Sequence, residues 1–414
     1  MDRNSFALGE RVPERVAQPA TVEELAATLR ACDEAGEAVV LFGGGTLQGL
    51  GSAPARYDVA VSLAAIAGIA AYEPNDLTVS VLAGTKLADL ARTLRAKGQF
   101  VPIDAPRPGQ GTVGGAIAAG WAGPRRRAYG SARDLIIGST VVLADGTVAK
   151  AGGMVVKNVT GYDMSKLYAG SLGTLGALAR VNFKALPMPA VQRAAIAPLP
   201  ERTRARAVAH LKMLDVEPAV AAVVHGFEDV EGRDGVEGRL VLVFEGSQAV
   251  TDRCIRDLRS ALGAAGVPET RLVDFGAAEV LQRLIDAYAP PPHDRTVSYR
   301  LFGLPAEVEP RAAALVRLAR ERGLECETIC DLNTGDVVAR VSSPDLGTFE
   351  TAIVPFDEAL HDKEPARITS APQRLRAMLD AWGAPPAALA VMRGLKARFD
   401  PRNTLAPGRF AGGI

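Results

Sequence analysis

The chain has 414 residues, 48% of them hydrophobic and 23% charged, a balance that fits a globular protein and excludes a disordered or collagen-like one. Lys plus Arg equals Asp plus Glu at 47 each, so no global field favours nucleic acid or an anionic membrane, and a partner must be recognised locally. At roughly 150 residues per domain at least two domains are expected.

Thr21 to Glu24 forms a capping box, and Val22, Leu25, Leu29 and Cys32 recur on one helical face until Gly36, predicting a helix. A short buried strand, EAVVLF from Glu37, then empties into Gly43, Gly44, Gly45 and Thr46, with further glycines at 49 and 51. DVAVSL from Asp58, IAAYE from Ile69 and LTVSVLAG from Leu77 read as strands, and KLADLARTLRAKG from Lys86 as an amphipathic helix closed by Gly98. A second small-residue tract, TVGGAIAAGWAG from Thr112, leads through Arg125, Arg126 and Arg127 to Gly130. Asp145-Gly146 predicts a two-residue hairpin turn. A third tract carries Gly161, Gly170, Gly173 and Gly176, and Pro187 and Pro189 then mark a boundary. From 190 to 370 strand-like and helical runs alternate without glycine tracts, predicting an α+β module with helices on one face of an antiparallel sheet. A final helix precedes the tail NTLAPGRF.

No stretch of about 18 strongly apolar residues occurs, so no direct membrane insertion is expected. The first residues lack a signal-peptide core, and four cysteines (Cys32, Cys254, Cys326, Cys330) make no disulfide framework; both point to a cytoplasmic protein. Cys326 and Cys330 have the spacing of half a zinc site but no second pair, and read as two packed core thiols, so no metal is expected.

The first glycine tract fails two familiar tests. It lacks the G-x-G-x-x-G that opens a helix in a Rossmann unit, and it lacks the Lys of a P-loop. What remains is a loop whose successive N–H groups can converge on an anion, with Thr46 adding a hydroxyl, or else a tight turn needing positive φ. Three side-chain-poor tracts together suit a long ligand that touches backbone at several points, as an adenine dinucleotide with a flat ring system would.

LFGGGTLQGLG at 41–51, TVGGAIAAGWAGPRRRAYGSARDLIIG at 112–138 and GGMVVKNVTGYDMSKLYAGSLGTLGAL at 152–178 resemble the flavoenzyme superfamily of vanillyl-alcohol oxidase and p-cresol methylhydroxylase. More narrowly, AGPRRRAYGSARD and VVKNVTGYDMSKLYAGSLGTLG, with the tail FDPRNTLAPGRF, resemble the family of FAD-binding E subunits of bacterial glycolate oxidase. The resemblance implies a two-lobed FAD-binding domain of the p-cresol methylhydroxylase type at 1–188, an α+β cap domain with an antiparallel sheet at 189–371, and a C-terminal helix and tail at 372–414 returning to the FAD domain. It implies that Gly43, Gly44, Gly45, Thr46, Leu47 and Gln48 wrap the FAD pyrophosphate and that Thr112, Val113, Gly114 and Gly115 meet it from the other side. Gly120 and Gly130 would allow close backbone passage, and Gly173, Thr174 and Gly176 would line the flavin end. Lys157 would sit at the flavin N1–C2=O edge or be a solvated surface lysine. Asp163 reads as the N-cap of DMSKLYAG, and Arg125 to Arg127 as counter-charges for phosphate or an acidic partner, or as a surface cluster.

Neither His nor Cys lies between Cys32 and His210, so the FAD is expected to be noncovalent. The H-x-G-D-G-N-x-H-like cluster of hydroxyacid-oxidising relatives is missing; its nearest analogue, Asp331 to Asp336, has no histidine and reads equally as a hairpin turn. No catalytic base is assigned, and His210, His225, His293 and His361 have no spaced partners. The expected function is a noncovalent FAD-binding subunit of a multi-subunit 2-hydroxyacid dehydrogenase, relaying electrons or supporting assembly. Its expected partners are a larger FAD-containing catalytic subunit and an iron–sulfur subunit, through which it would lie peripherally on the inner membrane. The alternatives are a self-sufficient FAD-dependent hydroxyacid dehydrogenase and a cofactor-free scaffold.

Overall fold

Thr21 opens the first long helix, α1 (Val22–Ala35): its hydroxyl accepts from the Glu24 amide at 3.1 Å, while the Glu24 carboxylate reaches back to the Ala20 amide at 2.8 Å. Gly36 closes it in the left-handed region, φ 70°. The computed structural model describes every residue except 1, 156–160, 215, 216, 228, 229, 231–237, 268–270, 274 and 275, and only the backbone of 271 and 273. The chain divides into two units, Met1–Ala122 with Gly130–Met188 and Arg367–Ile414, and Gly123–Tyr129 with Pro189–Ala366.

In the first unit β1 (Arg15–Ala17), β2 (Val39–Phe42) and β3 (Val59–Ser62) form a parallel sheet in the order β1-β3-β2. Strands β4 (Ile69–Glu73), β5 (Thr78–Leu82), β7 (Ile136–Val142), β8 (Val148–Gly152) and β9 (Ala177–Lys184) form an antiparallel sheet, β4-β5-β9-β7-β8. The short β6 (Gln99–Phe100) and β10 (Leu186–Pro187) pair separately. The periodic face of α1, Leu25, Leu29 and Cys32, packs in one core with Val39, Val59, Val61, Val142, Ala177, Ala179 and Leu405. The two sheets and the C-terminal segment therefore share an interior, and the end of β2 has a fixed place in it.

The β7–β8 connection differs from the two-residue expectation. Leu143 N–H bonds Thr147 O and Gly146 N–H bonds Leu143 O, which makes a three-residue loop with Gly146 at φ 81°. The Asp145 carboxylate takes both the Thr147 amide and hydroxyl, and this local bonding favours the longer turn.

The second unit is built on β11 (Val191–Pro198), β12 (Val220–His225), β13 (Arg239–Gly246), β14 (Arg271–Val273), β15 (Thr296–Leu301), β16 (Glu325–Asp331) and β17 (Val337–Ser342). These seven strands are antiparallel in the order β14-β11-β13-β12-β16-β17-β15. Almost every residue of β12 and β13 is buried, the pattern of strands covered on both faces. Helices Glu201–Lys212, Gln248–Ala264, Ala277–Ala287, Val308–Arg320 and Leu346–His361 alternate with them, giving the expected α+β composition. Through β18 (Ala366–Ser370) the chain returns to the first unit, where it ends with the helix Leu389–Phe399. Among the described residues, no helix is long and apolar enough to cross a membrane.

The three arginines are not a free surface cluster. Arg125 pairs with Glu245 at 3.1 Å, Arg126 with Asp336 at 2.9 Å and Arg127 with Glu217 at 3.7 Å, and Tyr129 donates to Glu245 at 2.6 Å. Two of the partners are wholly buried carboxylates, so the charges of segment 123–129 are spent on the second unit. Nor does Asp163 cap a helix: the short helix Ser165–Tyr168 has Met164 at its N-cap without a side-chain bond, and Asp163 pairs with Lys166 at 3.2 Å.

Cys326 and Cys330 lie on β16, and all four cysteines are free. Burial pushes the Cys32 thiol up to about 11 and Cys326 up to about 12, and it raises Cys330 well above the usual range. At pH 8 these three are expected to react with a disulfide reagent at least about a hundredfold more slowly in the folded chain than in denaturant. Stopped thiol titration checks this, and a fast phase from any of the three contradicts it. Because their folded values lie above the unfolded one, the folded chain holds more protons above pH about 8.5 and loses stability as pH rises past that point.

Candidate functional site

Strand β2 ends at Phe42, and the chain then runs along a cleft in the first unit. Its walls carry Gly43, Gly44, Gly45, Thr46, Leu47 and Gln48 from the first tract, Thr112, Gly114 and Gly115 from the second, and Gly173 and Gly176 from the third. Three stretches far apart in sequence thus meet at one cavity. Among the described residues no carboxylate lines it, and the one charged residue on its wall is Arg409.

The glycines do two different jobs. A Cβ on Gly43 would overlap the Thr112 hydroxyl, one on Gly44 would overlap the Gln110 carbonyl, and one on Gly176 would stand 2.5 Å from Val141 Cγ1. These positions are small because the tracts pack against neighbours. Gly45, at φ 73°, is different: a Cβ there would meet nothing within 4 Å, so its glycine serves the left-handed backbone and leaves space open.

The amides divide the same way. Among the described residues no acceptor is bonded to the backbone N–H of 43, 44, 45, 46 or 47, whereas Gln48 N–H turns back to Gly45 O at 3.3 Å. The Gln48 side chain is anchored on Leu41 O at 3.0 Å, and Arg107, itself at φ 51°, donates to Thr46 O. Gly44 and Gly45 are exposed and Gly43, Thr46 and Leu47 half-buried, so these five successive amides are open to solvent or to a ligand, and a run of this kind can converge on an anion. In the second tract the Thr112 N–H is likewise without an acceptor among the described residues, but the amides that follow it are taken. The tract opens the six-residue helix Val113–Ala118, where Val113 N–H bonds Thr85 O, Gly114 N–H bonds Ala83 O, and Gly115 N–H bonds Thr112 Oγ1 at 3.3 Å. Gly114 and Gly115 therefore supply contact surface, while the open amides lie in the first tract and at Thr112.

Four of the sequence-assigned residues stand away from the cleft wall. Val113 is a fully buried core side chain. Gly120, at φ 60°, lets the backbone cross Gly170, a Cβ there falling 2.7 Å from Gly170 Cα. Gly130 turns at φ 77° beside Asp134. Thr174 is buried, its hydroxyl bonded to Ser171 O at 2.7 Å and its carbonyl to Lys396 Nζ at 3.0 Å. Lys157 lies outside the described residues. Residues that the sequence reading missed are the apolar walls, such as Leu41, Leu63, Leu172 and Leu178, and the two polar contributors Arg107 and Arg409. Only the PGRF tail gave a hint of the last of these.

Three of the histidines are engaged locally. His210 Nδ1 meets its own helix at Arg206 O, 2.8 Å; His293 Nδ1 accepts from the Arg295 amide at 3.3 Å; His361 Nε2 lies 3.5 Å from Asp357 on the same helix. Asp331 and Asp336 occupy the β16–β17 hairpin as the turn reading anticipated. Asp331 accepts from the Asn333 and Thr334 amides and from Tyr288, and Asp336 is held by Arg300 and Arg126.

A side-chain-poor loop with open amides, met by two further small-residue tracts in an α+β unit, has the chemistry to take an anion such as a nucleotide diphosphate. Residues 13–152 match the family model described as "FAD binding domain", which makes FAD the nucleotide in question. The glycolate oxidase subunit GlcE of Escherichia coli (strain K12) is 42% identical over 123 residues, 30% of this chain and 35% of that one. The glycolate oxidase subunit GlcD of Bacillus subtilis (strain 168) is 32% identical over 188 residues, 45% of this chain and 40% of that one. This chain thus spans well under half the length of either relative. A crystal structure of p-cresol methylhydroxylase with substrate bound superposes with a TM-score of 0.70 over 95% of this chain and 88% of that one, at 16% identity, which establishes a common fold.

Proposed function

We propose that this chain is the noncovalent FAD-binding subunit of a multi-subunit 2-hydroxyacid dehydrogenase acting on glycolate or a lactate-like acid. The observation that carries the reading is the run of amides at 43–47 without acceptors, beside a cleft without carboxylates among the described residues, within a segment matching an FAD-binding domain. Gly43, Gly44, Gly45, Thr46 and Leu47 hold the diphosphate, while Thr112, Gly114, Gly115, Gly173 and Gly176 let the rest of the cofactor lie against bare backbone. FAD, when bound, supplies the acceptor of a hydride or of single electrons.

Substrate oxidation is assigned to a larger FAD-containing subunit, because His210, His293 and His361 are engaged locally and no H-x-G-D-G-N-x-H-like cluster occurs in the sequence. An iron–sulfur subunit takes the electrons onward, since four cysteines scattered as Cys32, Cys254, Cys326 and Cys330 do not make a cluster-binding set. The sequence names support this division: both relatives are called subunits of glycolate oxidase.

Purified chain is expected to be yellow, with about one FAD per chain passing into the supernatant on acid precipitation. Colourless protein that takes up no FAD overturns the cofactor assignment, and flavin that stays on the precipitate overturns its noncovalent attachment. Affinity purification from the native host is expected to bring down a larger flavin-containing chain and an iron–sulfur chain. Turnover of glycolate with an artificial acceptor by the isolated chain would instead make it self-sufficient.

A further inference from the structure

Behind the glycine loop stand two arginines from the last forty or so residues of the chain. Arg376 donates to Gln48 O at 2.8 Å, Gly49 O at 2.5 Å and Gly51 O at 3.0 Å, and Arg409 donates to Leu50 O at 2.8 Å. Both are buried, at 7% and 2% exposure. Arg409 lines the cleft, yet its Nη1 is buried with no hydrogen-bond partner among the described residues.

Neither guanidinium has a carboxylate within ion-pair distance among the described residues. Two other buried cations do: Arg300 has Asp336 at 2.5 Å and Lys396 has Asp400 at 2.5 Å. Burial draws Arg409 down to about 9, with the charge of Arg376 adding to the effect, and Arg376 down to about 10. Carbonyl acceptors require donors but not charge, so the bonds to 48–51 do not explain why two like charges are kept dry and side by side. Such a pair is matched when an anion of two charges sits nearby.

We propose that Arg376 and Arg409 are positioning residues that act through the glycine loop as the counter-charge for the diphosphate of the bound dinucleotide. The loop is then a polar layer, with the carbonyls of 48–51 turned to the cations and the amides of 43–47 left for the anion. This rests on the FAD reading. It also makes the C-terminal segment a sensor of occupancy: without a diphosphate it carries uncompensated charge, and with one it is locked onto the loop.

The test uses the full chain, freed of cofactor, as wild type, Arg409→Gln and Arg409→Lys. Melting temperature is measured alone, with FAD and with inorganic pyrophosphate, and the FAD dissociation constant is read from flavin fluorescence. Arg409→Gln is expected to melt at or above the wild-type temperature when empty, to bind FAD about tenfold or more weakly, and to lose the stabilisation that pyrophosphate gives the wild type. Arg409→Lys is expected to keep FAD affinity within about threefold, since the charge is retained. A variant that melts lower when empty but binds FAD unchanged overturns the proposal in favour of plain loop support. Where melting temperature and affinity both fall, restoration of affinity by lysine supports the proposal and its absence overturns it. If FAD fails to bind the wild type while pyrophosphate still stabilises it through Arg409, the flavin reading falls and the counter-charge stands; if neither ligand acts, both fall.

Discussion

Gly44→Ala is expected to abolish retention of FAD and to destabilise the first unit by about 3 kcal/mol or more, at the upper end of overpacking effects. The added Cβ would overlap the Gln110 carbonyl oxygen and lie 2.6 Å from its carbon and 3.1 Å from Gly111 Cα. All three are backbone atoms, which cannot rotate away as a side chain does. The first and second tracts would have to part, and the walls of the cleft with them. Gly45→Ala is the contrasting variant: a Cβ there enters open space, and the cost is that of a left-handed alanine, about 1–2 kcal/mol. Thermal unfolding and the flavin-to-protein ratio of the two purified variants give the comparison. Equal losses in both, or full flavin retention by Gly44→Ala, would show that the tracts do not meet as described.

The second large effect belongs to Asp336. Its wholly buried carboxylate receives two bonds from Arg300, at 3.0 and 2.5 Å, and one from Arg126 at 2.9 Å, while Arg300 also lies over the rings of Tyr288 and Phe302 at 5.2 and 5.3 Å. Asp336→Ala leaves the Arg300 guanidinium buried without its counter-ion, a change that costs about 3–5 kcal/mol. For a unit of this size the melting temperature should fall by about 6–20 °C. Arg126→Ala should cost about 1 kcal/mol or less, because its side chain is 31% exposed and screened by water. Joint replacement of Asp336 and Arg300 by apolar residues should recover most of the stability lost in the single variant. Calorimetry of the three variants decides it, and a double variant no better than Asp336→Ala would mean that the pair is not the source of the loss.

Both predictions turn on features only half legible in the sequence. The turn at 331–336 could be read from Asp331, Asn333 and Gly335, because Asx turns and positive-φ glycines are local. That Asp336 closes an ion pair with Arg300 and receives Arg126 could not, since those partners are 36 and 210 positions away. The arginine run at 125–127 announced charge without its destination. Composition records that three cations are adjacent; only the fold shows that each faces a carboxylate.

The candidate site shows the same division. Its three small-residue tracts were visible as sequence, and their meeting at one cleft follows the expectation of a long ligand touching backbone. The roles of individual glycines were not visible, since Gly43 and Gly45 are identical in sequence yet one is packed and the other open. Val113, Gly120, Gly130 and Thr174 share the tracts' composition but serve the core, a backbone crossing, a turn and the Lys396 anchor.

What the sequence determined by itself is therefore what short-range chemistry controls: the capped helix α1, the strand that ends at Phe42, the places where side chains are withheld, the alternating elements from 190 to 370. Capping, periodicity and backbone sterics act over a few residues and leave a readable mark. What the tertiary structure alone decided is which amides keep no acceptor, which glycines are pressed against a neighbour, and where buried charge finds or lacks its opposite. Hydrogen bonding and Coulomb attraction act through space, so Arg409 reaches a loop 359 positions back that no local pattern in the chain connects to it.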